Sequence, residues 1–231
     1  MDRINYKYYL GSKMNEIYEA SSTLVWRDHH KTAIEALPQI AFLQGQRVGE
    51  RVIDADACYD VLLDPSKSGC ILAWEYFFKN DDVPRLLEFI DDRARWQFKL
   101  KGTKELHAFL TSVPRDFQQW HCLAQSDLSI AWPGGCAVLR ANERTVAEML
   151  KATTRRITLD GVDGLCANLP PCFASDAGHA LATQSGTFGL TWYVTTDAKV
   201  ACSLRSNGDF DVSVIAQKFG GGGHKNAAGF T

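Results

Sequence analysis

The sequence predicts an α/β protein in two parts joined by a helix. Three observations carry this. A short apolar run at residues 23–26 reads as a buried strand, and a helical pattern follows at 31–37. Residues 69–92 carry apolar side chains at helical spacing. Beyond residue 152 the texture changes, and two strand-like runs at 190–194 and 199–204 flank Thr195-Thr196-Asp197-Ala198, a hairpin turn.

Composition narrows the function classes. The chain has 231 residues, 45% hydrophobic and 23% charged, enough for two small domains with cores of their own. A net charge of −2 provides no global basic field for a long nucleic acid, so any nucleotide contact must be local. No run has signal-peptide character or membrane-spanning length, so no membrane partner is expected. The seven cysteines form no C-x-x-C pair, and Cys70 and Cys202 sit in apolar patterns. A reducing, cytoplasmic setting is the expectation. The chain lacks a G-x-S-x-G elbow, a Walker loop and a dinucleotide-binding fingerprint, which argues against a serine hydrolase, a nucleotide triphosphatase or a dehydrogenase.

Residues 14–20 read as the end of a helix. Asp28-His29-His30 then falls at the C-terminal end of the first strand, the edge where open α/β sheets bind ligands. Residues 69–78 are apolar on nearly all sides and predict a helix buried in a domain centre. The next helical pattern, 83–92, ends in Asp91 and Asp92, where two carboxylates oppose the macrodipole. They form either a solvated helix end or a metal ligand whose cation offsets the repulsion. Pro133-Gly134-Gly135 breaks the pattern. The predicted division is therefore a first domain at 1–135, a connecting helix at 136–152 and a second domain at 153–231. Within the second domain, Val200, Cys202 and Leu204 alternate as one buried face would. Asp211 is the expected N-cap of a helix carrying Val212, Ile215, Ala216 and Phe219 on one side. The glycines from 220 to 223 end that helix.

Three motifs carry chemistry. Four consecutive glycines allow backbone N–H groups to converge on an anion, and residues 224–228 would open a short helix whose N-terminus adds a favourable dipole. His224 would donate to a phosphate oxygen. Arg205 leaves the second hairpin strand between Ser203 and Ser206, a fork donor beside two hydroxyls. In Asp28-His29-His30 the adjacent imidazoles point in different directions, so one can meet a metal and the other a substrate, with Asp28 fixing a tautomer. Alone, the triplet also reads as a polar turn.

D-H-H, S-L-R-S and G-G-G-H-x-x-A-A-G, in that order, resemble the DHH/DHHA1 phosphoesterases. That superfamily includes single-strand exonucleases, short-oligoribonucleotide hydrolases and cyclic-dinucleotide phosphodiesterases. The resemblance runs from about residue 14 to the C-terminus. It implies an N-terminal α/β DHH domain with a mainly parallel sheet and flanking helices, and a smaller C-terminal α/β DHHA1 domain that closes over substrate. His29 would ligate a divalent metal, usually manganese, with magnesium the second choice. His30 would meet the scissile phosphate or leaving oxygen, supported by Asp28. Asp92 matches the later metal-ligating aspartate, with Asp91 the fallback. Arg205, Ser206, Gly221, Gly222, Gly223 and His224 would hold substrate phosphate. The implied chemistry is hydrolysis by a metal-bound hydroxide, acting on a nucleotide or a short single-stranded oligonucleotide.

The sequence departs from that family at its start. Only 27 residues precede Asp28, and they contain no Asp-rich metal motif; the acidic residues there are Asp2, Glu16 and Glu19. Arg27 places a cation where the family carries an apolar residue. The expectation is weak or one-metal binding. The chain would be a fragment lacking its first strand, a naturally shortened product with its activity lost, or a subunit completed by a partner, a second copy included. The functional reading is a metal-dependent phosphoesterase. The alternatives are a nucleotide-binding module with weakened catalysis and a partner-completed subunit.

Overall fold

A computed structural model describes residues 6–45, 47–54 and 58–231, with side chains from residue 12 onward. Asp2 lies outside the described residues. In chain order, α1 is Tyr6–Ala20, β1 Leu24–Asp28, α2 Lys31–Ala36, β2 Val52–Asp54 and β3 Tyr59–Leu63. Then come α3 Gly69–Phe77, α4 Arg85–Ala94, α5 Thr103–Ser112, α6 Phe117–Ala124 and α7 Trp132–Thr153. The rest is β4 Arg155–Leu159, β5 Val162–Asn168, α8 Ala174–Ser185, β6 Phe188–Val194, β7 Val200–Ser206, α9 Val212–Lys218, β8 Gly222–His224 and β9 Ala227–Phe230. The chain is thus mixed α/β. No helix among the described residues is long and apolar enough to cross a membrane.

The chain packs as two units that each draw on separated segments. The first comprises Met1–Val25, His30–Leu63 and Thr145–Thr231; the second comprises Trp26–His29 and Asp64–Arg144. This differs from a division at 135 and 152, because residues 30–63 pack with the C-terminal part of the chain. The small sheet has the order β1-β3-β2. Leu24 N–H donates to the Cys58 carbonyl and Asp64 N–H to the Asp28 carbonyl, both at 2.9 Å, so β1 and β3 run parallel. β2 runs antiparallel to β3, with Val52 opposite Val61.

The large sheet of the first unit has the order β4-β5-β6-β7-β9-β8. β5 and β6 are parallel and joined through α8; the other pairs are antiparallel. Phe188, Gly189, Leu190 and Thr191 are buried in succession, because both faces of β6 are covered. On one face Phe188, Leu190, Leu204 and Ala228 meet Val212, Ile215 and Ala216 of α9. On the other, Ala167 of β5 meets Ala177 and Leu181 of α8 and Val146 of α7. The hairpin of β6 and β7 forms where the sequence places it, with Leu190 opposite Leu204. Asp211 caps α9 by accepting from Ser213 N–H at 3.0 Å.

In the second unit, Leu86 and Phe89 of α4, Leu106 and Leu110 of α5, and Leu128 and Ala131 form the core. Two expectations are corrected here. α3 is not a buried helix: Leu72 is buried, but Phe77 is 73% exposed. Its aromatics pack on one another, Trp74 stacking on Phe78 at 4.2 Å and Tyr76 meeting Phe77 edge-on at 4.9 Å. Pro133-Gly134-Gly135 breaks no helix; it forms the first turn of α7. A Cβ at Gly135 would stand 2.2 Å from the Glu105 carbonyl oxygen, so the residue is small where α7 crosses α5.

Gly189 has the same role in the first unit. A Cβ there would lie 2.2 Å from the Gly178 carbonyl oxygen and 2.6 Å from the Leu181 Cβ. Backbone cannot yield as a side-chain tip can, so Gly189→Ala lifts α8 off the sheet. The expected cost is about 1–3 kcal/mol of unfolding free energy, measured by urea denaturation.

Candidate phosphate-binding site

The glycine segment forms strand, where the sequence suggested a loop and a helix N-terminus. Gly220, at φ +81°, turns the chain out of α9. β8 then pairs with β9, and β9 with β7. The ladder offered by β7 outweighs the local helical propensity of Ala227-Ala228. Three backbone donors of the expected cradle are engaged within the protein. Gly220 N–H donates to the Gln217 carbonyl at 3.1 Å and Gly221 N–H to the Ala216 carbonyl at 2.9 Å, closing the end of α9. Gly223 N–H donates to the Thr32 hydroxyl at 3.2 Å.

Register supplies a different arrangement. Gly189 pairs with Arg205, Arg205 with Ala227, and Ala227 with His224. Laterally paired residues share a face, so Arg205 and His224 stand on one face of the sheet with only the Ala227 methyl between them. Two strand spacings put their Cα atoms about 10 Å apart. All three residues are half-buried. The Arg205 guanidinium donates to the Ser175 hydroxyl at 3.0 Å and to the Leu204 carbonyl at 2.8 Å, which aims it along α8. Ser206 faces the other way. It is buried, donates to the Phe210 carbonyl at 2.6 Å and accepts from the Asn226 amide at 2.9 Å, so its hydroxyl braces the loop before α9.

α2 lies against the edge strand β8. Besides the Thr32 contact, Lys31 forms an ion pair with Asp211 and reaches the Ser213 hydroxyl at 3.1 Å and Glu35 at 3.3 Å. Gln217 donates to Glu35 at 3.0 Å. Burial opposes the charge on Lys31, but Asp211 and Glu35 outweigh it and hold the ammonium above its ordinary pKa. Asp211 is held below the usual carboxyl range: burial works against it, and the Lys31 and Ser213 bonds win. The result brings His30 onto His224, their rings stacked with centroids 4.5 Å apart and planes inclined by 17°. His30 and His224, which come from two motifs far apart in the sequence, therefore meet within the first unit. Lys31, Thr32 and Asn226 were not legible as site residues. Asp211 was legible as a cap, but nothing local in the sequence reports its ion pair.

The remaining candidates lie in the second unit. The Asp28 carboxylate accepts from the backbone N–H of His29 at 2.6 Å. Arg27 is turned away onto the Tyr76 ring, 4.6 Å from its centroid. Asp91 accepts from Ser68 N–H at 2.7 Å, capping the start of α3. Asp92 is 5% exposed and accepts from Lys99 N–H at 2.8 Å, Leu100 N–H at 3.2 Å and the Thr103 hydroxyl at 2.5 Å. Asp91 thus braces the residue just before α3 and Asp92 the loop that leads into α5, which overturns the reading of a merely solvated helix end. No disulfide joins the cysteines among the described residues, and burial pushes the pKa of Cys70, Cys166 and Cys202 up.

Comparison with known proteins agrees with the first unit. Residues 177–231 match the family model of the DHHA1 domain. Over 235 aligned residues the chain is 32% identical to an uncharacterized protein of Acanthamoeba polyphaga mimivirus, an alignment covering 97% of this chain and 51% of that protein. The chain spans about half the length of that curated relative. The match at residues 177–231 is consistent with the DHH/DHHA1 superfamily.

Burial opposes the charge on Asp92, but its bonds to Thr103, Lys99 and Leu100 outweigh burial and hold its carboxyl below the ordinary range. A depressed folded-state pKa means that its stabilisation is present above the unfolded value of about 4 and is lost as pH falls through the folded value. Asp92→Asn should cost about 1–3 kcal/mol at neutral pH, because buried donors lose their acceptor. It should also flatten the acid limb of a stability-against-pH curve measured by urea unfolding.

Proposed function

We propose that this chain is a DHH-type phosphoesterase module that seats a phosphate of a nucleotide or short single-stranded oligonucleotide between Arg205 and His224. The observation that carries the reading is the lateral row Arg205–Ala227–His224. A guanidinium and an imidazole stand on one face of the sheet with the Ala227 methyl between them, and both groups can donate to phosphate oxygens. The row lies within the matched DHHA1 region. His30, stacked on His224, brings the histidine of the D-H-H motif to the same place. The net charge of −2 favours a short ligand over a long polymer.

The manganese expected from the resemblance does not fit Asp92. Three donors take three of the roughly four lone-pair sites of this carboxylate, and the residue is only 5% exposed. Among the described residues Asp92 joins no cluster of three metal-ligating side chains. This favours a second reading, in which the chain binds nucleotide without hydrolysing it.

Calorimetric titration with a mononucleotide, a linear dinucleotide and a cyclic dinucleotide tests the proposal. Arg205→Ala and His224→Ala should each weaken the best ligand by about tenfold to a hundredfold, since a charge-assisted bond contributes about 1.5–3 kcal/mol. Unchanged affinity in both variants would sink the phosphate seat. Hydrolysis of any of the three ligands would set aside the second reading.

A further inference from the structure

The stretch that leads from α4 into α5, within the second unit, concentrates positive charge. Residues 93–104 hold Arg93, Arg95, Lys99, Lys101 and Lys104 and no acidic residue, in a chain of net charge −2. Buried Asp92 fixes the course of this loop: its carboxylate accepts from Lys99 and Leu100 N–H and the Thr103 hydroxyl, and its carbonyl accepts from Gln97 N–H at 2.8 Å. Trp96 and Phe98 have φ of +57° and +50°, a left-handed backbone that bulky residues rarely adopt. Their rings meet edge-on at 5.0 Å. The Arg93 guanidinium stands 4.1 Å from the Trp96 centroid, and the Lys104 ammonium 5.2 Å from that of Phe98. Both rings are half-buried, whereas Lys99, Lys101 and Lys104 are exposed. Arg95 pairs with Asp91. The three lysines form no ion pair among the described residues, although Lys99 acts on Asp92 through space.

We propose that this loop is a binding surface for single-stranded nucleic acid, with phosphates on Lys99, Lys101 and Lys104 and a base against the Trp96–Phe98 pair. Cations beside aromatic rings are the combination that holds a single strand without reading its sequence, because every base has a π-face. A duplex already stacks its bases on one another and would leave the rings unused. An acidic protein would use the lysines alone. A membrane surface would take apolar side chains that protrude, and these two rings are half-buried beside cations. Left-handed backbone at two bulky residues is costly and persists where the surroundings hold it, as Asp92 does here. The overall charge of −2 does not oppose the contact, since exposed charges act within a screening length of about 8 Å at physiological salt. The surface does not depend on the Arg205–His224 seat, which belongs to the other unit.

Fluorescence anisotropy of the full chain with a dye-labelled oligothymidylate of about twelve nucleotides tests the proposal. Replacing Lys99, Lys101 and Lys104 together by Ala should weaken binding by at least about tenfold at 0.1 M salt. It should also make the plot of log affinity against log salt shallower by about two, since each phosphate contact with a single strand contributes about 0.7. Trp96→Leu should weaken binding by about tenfold through lost stacking, with the far-ultraviolet circular dichroism unchanged. If that variant misfolds, inorganic polyphosphate of matched charge competing against the unaltered chain reads the rings instead, and it should bind at least about tenfold more weakly than the oligonucleotide. Unchanged affinity and salt slope in the lysine variant, or polyphosphate binding as tightly as the oligonucleotide, would overturn the proposal. So would binding to phosphatidylserine vesicles in place of the oligonucleotide. Loss of all oligonucleotide binding in Arg205→Ala would put the strand on the other unit and overturn it as well.

Discussion

The backbone ladder that carries β9 between β7 and β8 sets the geometry of the site. It places Arg205, Ala227 and His224 in one lateral row and turns all three to one face. It also determines which donors remain for a ligand. The last turn of α9 takes the N–H groups of Gly220 and Gly221, and Thr32 takes that of Gly223. The proposed anion site therefore rests on side chains on a sheet. Glycine remains necessary, for a reason different from anion binding: a Cβ at Gly221 would lie 1.9 Å from the Gly229 carbonyl oxygen, so the segment is small because strands approach closely.

α2 depends on that ladder in turn. β8 is an edge strand, and an uncovered edge invites pairing with another chain. Thr32 accepts one of its outward donors, while Lys31 and Glu35 bind the start and the end of α9 through Asp211 and Gln217. Each of these contacts is modest, since the groups are only partly buried. Together they hold a helix of six residues that could not persist alone in water. His30 sits on the last residue before that helix, so its position against His224 is set by contacts made by its neighbours.

Much of this was legible in the sequence. The hairpin of β6 and β7 has alternation and turn residues, and Asp211 before Val212 is a cap with a local mechanism. The strand ending at Asp28 and the helix beginning at Lys31 follow from a short apolar run and a change of period. Other features depended on partners distant in the chain. Ala227-Ala228 favours helix locally and becomes strand because β7 offers a ladder. Gly134-Gly135 reads as a breaker until α5 is seen against it. Asp91 and Asp92 read as a charge conflict until Ser68 and Thr103 supply donors. α3 has the composition of a core helix, and its period could not distinguish burial from an aromatic surface cluster. Long-range acceptors and close backbone approaches leave no local trace.

The pair of Lys31 with Asp211 joins residues 180 positions apart, and Thr32 meets Gly223 across 191. β4 to β9 form from neighbouring stretches of chain, so that part of the first unit can assemble through short loops. Docking α2 closes a much longer loop and comes at a late stage. A newly made chain would carry a finished sheet, with Arg205 in place, before His30 ever meets His224. Competence at the histidine pair would then mature on a slower clock than the fold around it, and pulse-labelling hydrogen exchange would separate the two.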